Sequence, residues 1–89
     1  MLKVIVSPVD GGWTVDVEGV DNPMMFASGR AAEDAARELA LKLAAAGSDV
    51  ELELRLRNGA RAARFVVLPP VAHEDRPLML DTRRQAALA

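Results

Sequence analysis

The sequence predicts an α+β domain with the element order β-β-α-β-β, in which one helix packs on one face of a four-stranded, mainly antiparallel sheet. Three observations predict it. Within VELELRLRNGARAARFVVL, residues 50–68, apolar and charged residues alternate up to the Asn58-Gly59 turn, and a second alternating stretch lies near the N-terminus. Between them stands an alanine-rich segment that opens at a serine and closes at a glycine. Alternation with period two indicates half-buried strands, whereas apolar residues at every third or fourth position indicate a helix.

Length and composition favour a single small domain. The chain has 89 residues, of which 51% are apolar and 27% charged, as in ordinary globular proteins. Trp13, Phe26 and Phe65 are its only aromatic residues, so the core is expected to be thin. Small domains with thin cores are often stabilised by association. We therefore expect a homodimer.

The composition also excludes several classes of protein. The absence of cysteine rules out disulfide scaffolds and thiolate metal sites. The N-terminal apolar run is too short for a signal peptide, and no stretch approaches the roughly 18 apolar residues of a membrane span. A cytoplasmic protein without membrane contact is therefore expected. The net charge of −2 argues against a general polyanion binder.

The first half of the chain predicts two strands joined by a tight turn. Residues 2–8 are rich in β-branched side chains, and Asp10-Gly11-Gly12 supplies residues suited to a turn. Residues 13–18 alternate, with Trp13, Val15 and Val17 on one face. Residues 19–23 form a loop, after which Met24-Met25-Phe26 returns the chain to the core.

A helix is expected from about residue 29 to residue 46. Ser28 has the side chain of an N-cap, and Gly47 suits the helix C-terminus. Glu33–Arg37 and Glu38–Lys42 are favourable pairs four residues apart. Leu39 and Leu43 should be the anchors of an apolar stripe that faces the sheet. The stripe consists of Ala32, Ala36, Leu39, Ala40 and Leu43.

The stretch from residue 50 to residue 68 predicts a β-hairpin with a two-residue type I′ turn at Asn58-Gly59. In that register Leu52 faces Phe65, and Glu53 faces Arg64 as an ion pair across the strands. The helix-facing residues of its first strand would be Val50, Leu52, Leu54 and Leu56. A fully antiparallel sheet would have the strand order 2-1-3-4 or 1-2-4-3, and the sequence does not choose between them.

The remaining residues, 70–89, are assigned to a C-terminal tail that follows the domain of residues 1–69. Tails of this kind are often flexible. Asp81 could cap a short helix that runs from Thr82 to Leu88.

A set of spaced motifs links the glycine turn, the helix and the hairpin. They are Gly12-Trp13-x-Val15, Phe26-x-Ser28, Ala32-x-x-x-Ala36-Arg37-Glu38-Leu39-Ala40 and Asn58-Gly59-x-Arg61. In these motifs the chain resembles domain-of-unknown-function family 2188, a family of small bacterial domains, over roughly residues 4–61. The resemblance implies a fold and a bacterial setting, and it brings no activity or active site. The chain departs from the family in its long fourth strand and its tail.

A second similarity lies at the start of the helix. Gly29-x-x-x-Glu33-Asp34-Ala35, which follows a hairpin, is similar to the helix start of HicB-type antitoxins, although Ala31 replaces their usual threonine. Those proteins have a small antiparallel sheet with one helix and bind a toxin. The similarity implies a toxin-like protein partner. No separate DNA-binding segment is evident in the sequence.

No catalytic, cofactor-binding or metal-ligating residue is assigned, and we expect no enzyme. His73-Glu74-Asp75 is the one cluster of the metal-ligand type, but three adjacent tail residues converge poorly on one ion. The single histidine lies there, remote from Ser7, Ser28 and Ser48, so no nucleophile and base are paired. Trp13 is interpreted as a core residue rather than a ligand platform.

Two surfaces remain as candidates. One is a basic patch at the tip of the hairpin, formed by Arg55, Arg57, Arg61 and Arg64. Such a patch could bind nucleic acid, but we expect nucleic-acid binding to be the less favoured function. The other is an apolar row on the sheet face away from the helix, covered by the tail or by another subunit: Ala60, Ala62, Val66 and Leu68, with Leu78 and Leu80. The sequence therefore favours a non-enzymatic protein-interaction or self-associating module, with a toxin-binding domain and a nucleic-acid binder as alternatives.

Overall fold

The computed structural model describes residues 1–70 and 78–81, which form a mixed sheet with one helix on one face. The elements are β1 (Leu2–Val9), β2 (Gly12–Val17), β3 (Met24–Phe26), α1 (Gly29–Ala45), β4 (Val50–Arg55), β5 (Arg61–Leu68) and β6 (Leu78–Asp81). The predicted α+β class is confirmed. The sheet has six strands in the order β3-β2-β1-β4-β5-β6, so the prediction of four strands is wrong.

The central pair of strands, β1 and β4, runs parallel, whereas all other neighbouring pairs are antiparallel. The sheet is therefore mainly antiparallel, but it is not the fully antiparallel sheet of either predicted order. The four predicted strands do lie in the order 2-1-3-4. Their relative direction differs because β3 adds one more crossing of the sheet before the helix. That extra crossing reverses the helix and delivers β4 parallel to β1.

The two strands missed from the sequence both lie at the edges of the described sheet. β3 pairs with β2, with Trp13 opposite Phe26. It is only three residues long and carries no alternation to reveal it. β6 pairs with β5, so residues 78–81 of the predicted tail extend the sheet, and Asp81 ends this strand. The predicted helix from residue 82 to residue 88 lies outside the described residues.

The register of the β4–β5 hairpin is as predicted over residues 50–54, away from the turn. Leu52 lies opposite Phe65, and Leu54 lies opposite Ala63. Closer to the turn, a bulge between residues 54 and 55 shifts the register, so that Arg55 pairs with Arg61. The bulge inserts one extra residue into β5.

The turn itself differs from the prediction. A type I′ turn needs positive φ at both central residues, but only Gly59 has it, with φ of 84°. The amide of Gly59 donates to the carbonyl of Leu56 at 2.9 Å, and the amide of Leu56 donates to the carbonyl of Ala60 at 2.8 Å. These bonds define a three-residue loop. Leu56 lies beyond the end of β4 and is 51% exposed, although it still lines a cleft beside the start of α1.

The helix begins and ends as its sequence predicts. The Ser28 hydroxyl accepts a hydrogen bond from the amide of Ala31 at 3.1 Å, which satisfies one free donor of the first turn. At the other end Gly47 has φ of 110° and donates to Ala44, while Ser48 donates to Leu43. This is the Schellman arrangement that favours glycine.

A line of alanines brings the helix close to the sheet. Four of them, each one turn from the next, have no exposed surface, whereas Leu39 and Leu43 are only half-buried: Ala32, Ala36, Ala40 and Ala44. The predicted anchors therefore flank the contact rather than fill it. Across from these alanines lie the fully buried side chains of the central strands, chiefly Val4, Val6, Val15, Val50, Leu52 and Val67. Small residues on the helix and branched residues on the sheet thus share one tightly packed layer.

This packing predicts that Ala40 cannot be enlarged. Ala40→Leu should lower the free energy of unfolding by about 1–3 kcal/mol, because added methyl groups in a filled core force neighbours off their rotamers. Urea unfolding measures it, with Ala45→Leu as the control, since Ala45 lies on the same helix and is exposed. Equal stability of the two variants would contradict the close contact.

Candidate functional site

The candidate site is the sheet face opposite α1, called here the open face. Alternation along the strands divides the side chains between the two faces, and the buried apolar residues mark the helix side. The open face carries carboxylates and arginines on β4 and β5 and aliphatic residues on β5 and β6. Four neighbouring strands, β1, β4, β5 and β6, contribute most of this face. Their open-face residues are Lys3, Ile5, Ser7, Glu51, Glu53, Arg64, Val66, Leu68, Leu78 and Leu80.

Glu53 is buried on the open face, with only 3% of its side chain exposed. The Arg55 guanidinium contacts Oε2 at 2.8 Å, and Arg61 Nε contacts Oε1 at 2.8 Å. Arg55 is two residues along the same strand, and the bulge sets Arg61 opposite it. Both carboxylate oxygens are therefore held by cations.

Glu51 lies two residues earlier and is also buried. Lys3, its neighbour on β1, places Nζ 3.6 Å from Oε2, and Arg64 donates from Nε to Oε1. The hydrogen bond from Arg64 holds the pKa of Glu51 below its usual value, against an opposing effect of burial. Arg64 stands opposite Glu53 in the register, as predicted, but it donates to the diagonal neighbour Glu51.

These contacts explain how carboxylates become buried on a face that the helix does not cover. Each carboxylate contacts two cationic side chains, and these cations remain 30–56% exposed, so the charge of each buried carboxylate is balanced at the surface. In the described residues, no buried polar side-chain atom lacks a hydrogen-bond partner. A general acid that works near neutral pH needs a raised pKa, which is opposite to the shift at Glu51. The arrangement is suited to holding the sheet together.

The aliphatic part of the open face is called here the β5–β6 patch and consists of Val66, Leu68, Leu78 and Leu80. Val66 lies opposite Leu80, and Leu68 lies opposite Leu78, so the four side chains form two neighbouring pairs. Leu78 is 54% exposed, and the other three are partly exposed. The structure thus brings together four of the six residues predicted as an interface.

The other two residues of that prediction lie elsewhere. Ala60 is exposed in the hairpin loop, and Ala62 lies at the bulge, where it lines a cleft on another part of the surface. The prediction offered the tail as a cover for Val66 and Leu68. Instead, Leu78 and Leu80 lie beside them in the plane of the sheet, so β6 extends the apolar row and leaves it uncovered by the described residues.

The cleft has a volume of about 180 Å³ and lies between the start of α1 and the hairpin. Trp13 is half-buried there, on the helix side as predicted, and a Cβ on Gly29 would approach its indole to 2.9 Å. Small-molecule sites usually occupy about 300–1,000 Å³. The cleft is therefore small for a metabolite. Its lining is Val6, Trp13, Gly29, Glu33, Leu54, Arg55, Leu56 and Ala62.

The predicted basic patch is largely engaged with carboxylates. Arg55 and Arg61 contact Glu53, and Arg64 contacts Glu51. Arg57 lies exposed in the hairpin loop. The four arginines are near one another, as predicted, but the two glutamates reduce the positive charge that they present.

On the opposite face, Arg37 covers one end of the core. Its guanidinium lies 4.7 Å from the centre of the Phe65 ring, and Nη1 lies 3.7 Å from the sulfur of Met79. Glu33 accepts from the same guanidinium at 2.8 Å, as the spacing predicts. These contacts place Met79 on the helix side of β6, opposite in direction to Leu78 and Leu80.

Within residues 1–70 and 78–81, no group of histidine, cysteine, aspartate and glutamate is arranged to hold a metal ion. The predicted cluster His73-Glu74-Asp75 lies outside these residues. Over the same residues, no helix combines the length and apolar character that crossing a membrane would require. No family model, curated protein or solved structure matches this chain.

Sequence reasoning missed the burial of Glu51 and Glu53. The signal is present in the alternation E-L-E-L-R on one strand and in the arginines of the other. Because each carboxylate contacts two cations, a pair-by-pair interpretation finds a single ion pair and overlooks the cover that the second cation provides.

The lowered pKa of Glu51 predicts a pH-dependent contribution to stability. A carboxyl group with a lower pKa in the folded state stabilises the fold above its unfolded pKa, about 4.3, and loses this effect as the pH falls through the folded value. Glu51→Gln should therefore be less stable than the unsubstituted chain at about pH 7, and the difference should shrink toward about pH 3.

Urea unfolding across this range measures the difference. Glu38→Gln is the matched control, since Glu38 forms an exposed helical pair with Lys42 at 3.4 Å. Exposed pairs of this kind contribute about 0.3–0.5 kcal/mol. A stability difference for Glu51→Gln that stays constant with pH would contradict the assigned role of the carboxylate.

Proposed function

We propose that this chain is a non-enzymatic protein-interaction module that self-associates through the β5–β6 patch. The observation that carries this proposal is the pair of cross-strand aliphatic contacts on an open sheet face, Val66 with Leu80 and Leu68 with Leu78. Contiguous exposed apolar surface is a mark of interaction sites. The predicted homodimer is the form of association that we propose.

A second copy of the chain suits this patch for a chemical reason. A two-fold dimer needs a surface that is complementary to itself. Aliphatic side chains meet this condition, because they pack against their own kind. The charges next to the patch, on Glu51 and Arg64, are already paired with each other. Because these two charges neutralise each other, they would give little electrostatic selectivity for a charged partner.

The other candidate functions find less support in the described residues. Nucleic-acid binding needs cations that are free to meet phosphates, and three arginines of the basic patch contact carboxylates. The toxin-binding alternative follows from the HicB-like similarity of the helix start. A toxin-like partner would then be captured by the folded domain, whatever its oligomeric state. We also propose that the chain is a bacterial, cytoplasmic protein.

The dimer should be lost when a charge enters the patch. Light scattering after size exclusion, at micromolar concentrations, should give about twice the chain mass of 9.5 kDa. Leu78→Glu should give the monomer mass, because a carboxylate would then face the aliphatic side chains of the second copy, where it has no hydrogen-bond partner. Leu78 is 54% exposed, so its substitution should leave the fold intact.

Val20→Glu is the matched control. Val20 is also apolar and 58% exposed, but it lies in the loop after β2. In the sheet, β1 and β4 separate β2 from the strands of the patch. This variant should remain dimeric. A monomeric mass for the unsubstituted chain, or equal masses for the two glutamate variants, would overturn the proposal.

A further inference from the structure

β6 is an edge strand of the sheet formed by the described residues. One side of its backbone pairs with β5, and no strand among residues 1–70 and 78–81 pairs with the other side. An edge of this kind is a template for pairing with another chain. Resting on the proposed self-association, we infer that two copies join edge to edge along β6, in antiparallel orientation, with Met79 on the two-fold axis.

Symmetry limits the registers that such a pairing can have. A two-fold axis perpendicular to the sheet keeps both helices on the same side of the joined sheet. Residues that lie opposite each other in an antiparallel pair point to the same face. The axis must therefore pass beside a residue, and the central residues of this short strand are Met79 and Leu80.

The register centred on Met79 continues the apolar surface across the junction. Leu78 of one copy then lies opposite Leu80 of the other. Across the joined sheet, Leu68 and Leu78 of one copy are then followed by Leu80 and Val66 of the second copy. The two β5–β6 patches therefore form one continuous apolar surface. The register centred on Leu80 would instead place Met79 opposite position 81, an aspartate. Side-chain chemistry therefore selects the first register.

The other edge of the sheet is less suited to this role. β3 has three residues, and its open-face residue Met25 adjoins Thr14. Next along the open face of β2 is Asp16, which is exposed. Pairing through β3 would bring one open-face apolar side chain from each copy together, Met25, whereas pairing through β6 brings two leucines from each copy together, beside Val66 and Leu68.

A single cysteine tests this register directly, since the chain has none of its own. In the proposed dimer the two Met79 residues lie opposite each other, with Cα atoms about 4.5–5.5 Å apart. A disulfide spans about 4.4–6.8 Å between Cα atoms. Met79→Cys should therefore form a covalent dimer under mild oxidation, visible on a non-reducing gel. Val20→Cys, exposed and off the interface, gives the level of collisional cross-linking.

The same variant distinguishes edge pairing from packing of two open faces. Met79 points to the helix side, where it contacts Arg37. In a face-to-face dimer the sheets lie about 10 Å apart, and the Met79 residues would be on the outer sides. Cross-linking no greater than that of Val20→Cys, in a chain that light scattering shows to be dimeric, would overturn the edge register but leave self-association in place. A monomeric chain would overturn both.

A second design keeps the test open if Met79→Cys does not fold. Leu78→Cys and Leu80→Cys chains are purified separately and then mixed. Their substituted positions lie opposite each other only across the proposed junction. The mixture should yield more covalent dimer than either variant alone, and equal yields would count against the register.

Discussion

The helix–sheet packing leaves one face of the sheet without a helix, because the described chain has one helix for six strands. On the covered face, four buried alanines let the helix approach the central strands. On the open face no helix covers the strands, so the side chains of the face itself must shield the sheet from solvent. At its centre it does so with ion pairs, in which Glu51 and Glu53 are shielded by the arginines and the lysine that bind them.

Toward β6 the open face is aliphatic, and the proposed self-association rests on that difference. The cations of the hairpin stop at Arg64, and the next open-face residues along β5 are Val66 and Leu68. β6 adds two leucines beside them rather than a cover above them. A charged, internally paired region therefore adjoins an aliphatic region that ends at an edge strand. This gradient is what leads us to place self-association at β6 and to treat the arginines as structural.

Much of the fold could be predicted because it depends on local patterns. Alternation sets the register of Leu52 and Phe65, and Ser28 and Gly47 mark the ends of the helix. The edge strands could not be predicted, since short apolar runs have no periodicity and gain their structure from a neighbour. Missing β3 also inverted the expected direction of β4. The buried glutamates escaped notice because several side chains act on each at once.

The proposed edge-to-edge association requires that two copies meet at the edge of β6. Hydrogen exchange of backbone amides, measured over a series of protein concentrations, tests it most directly. Protection of the amides of Leu78–Asp81 should rise with protein concentration, while the amides of β3 at the opposite edge should exchange at a constant rate. Exchange at β6 that does not depend on concentration, under conditions where the dimer forms, would contradict it.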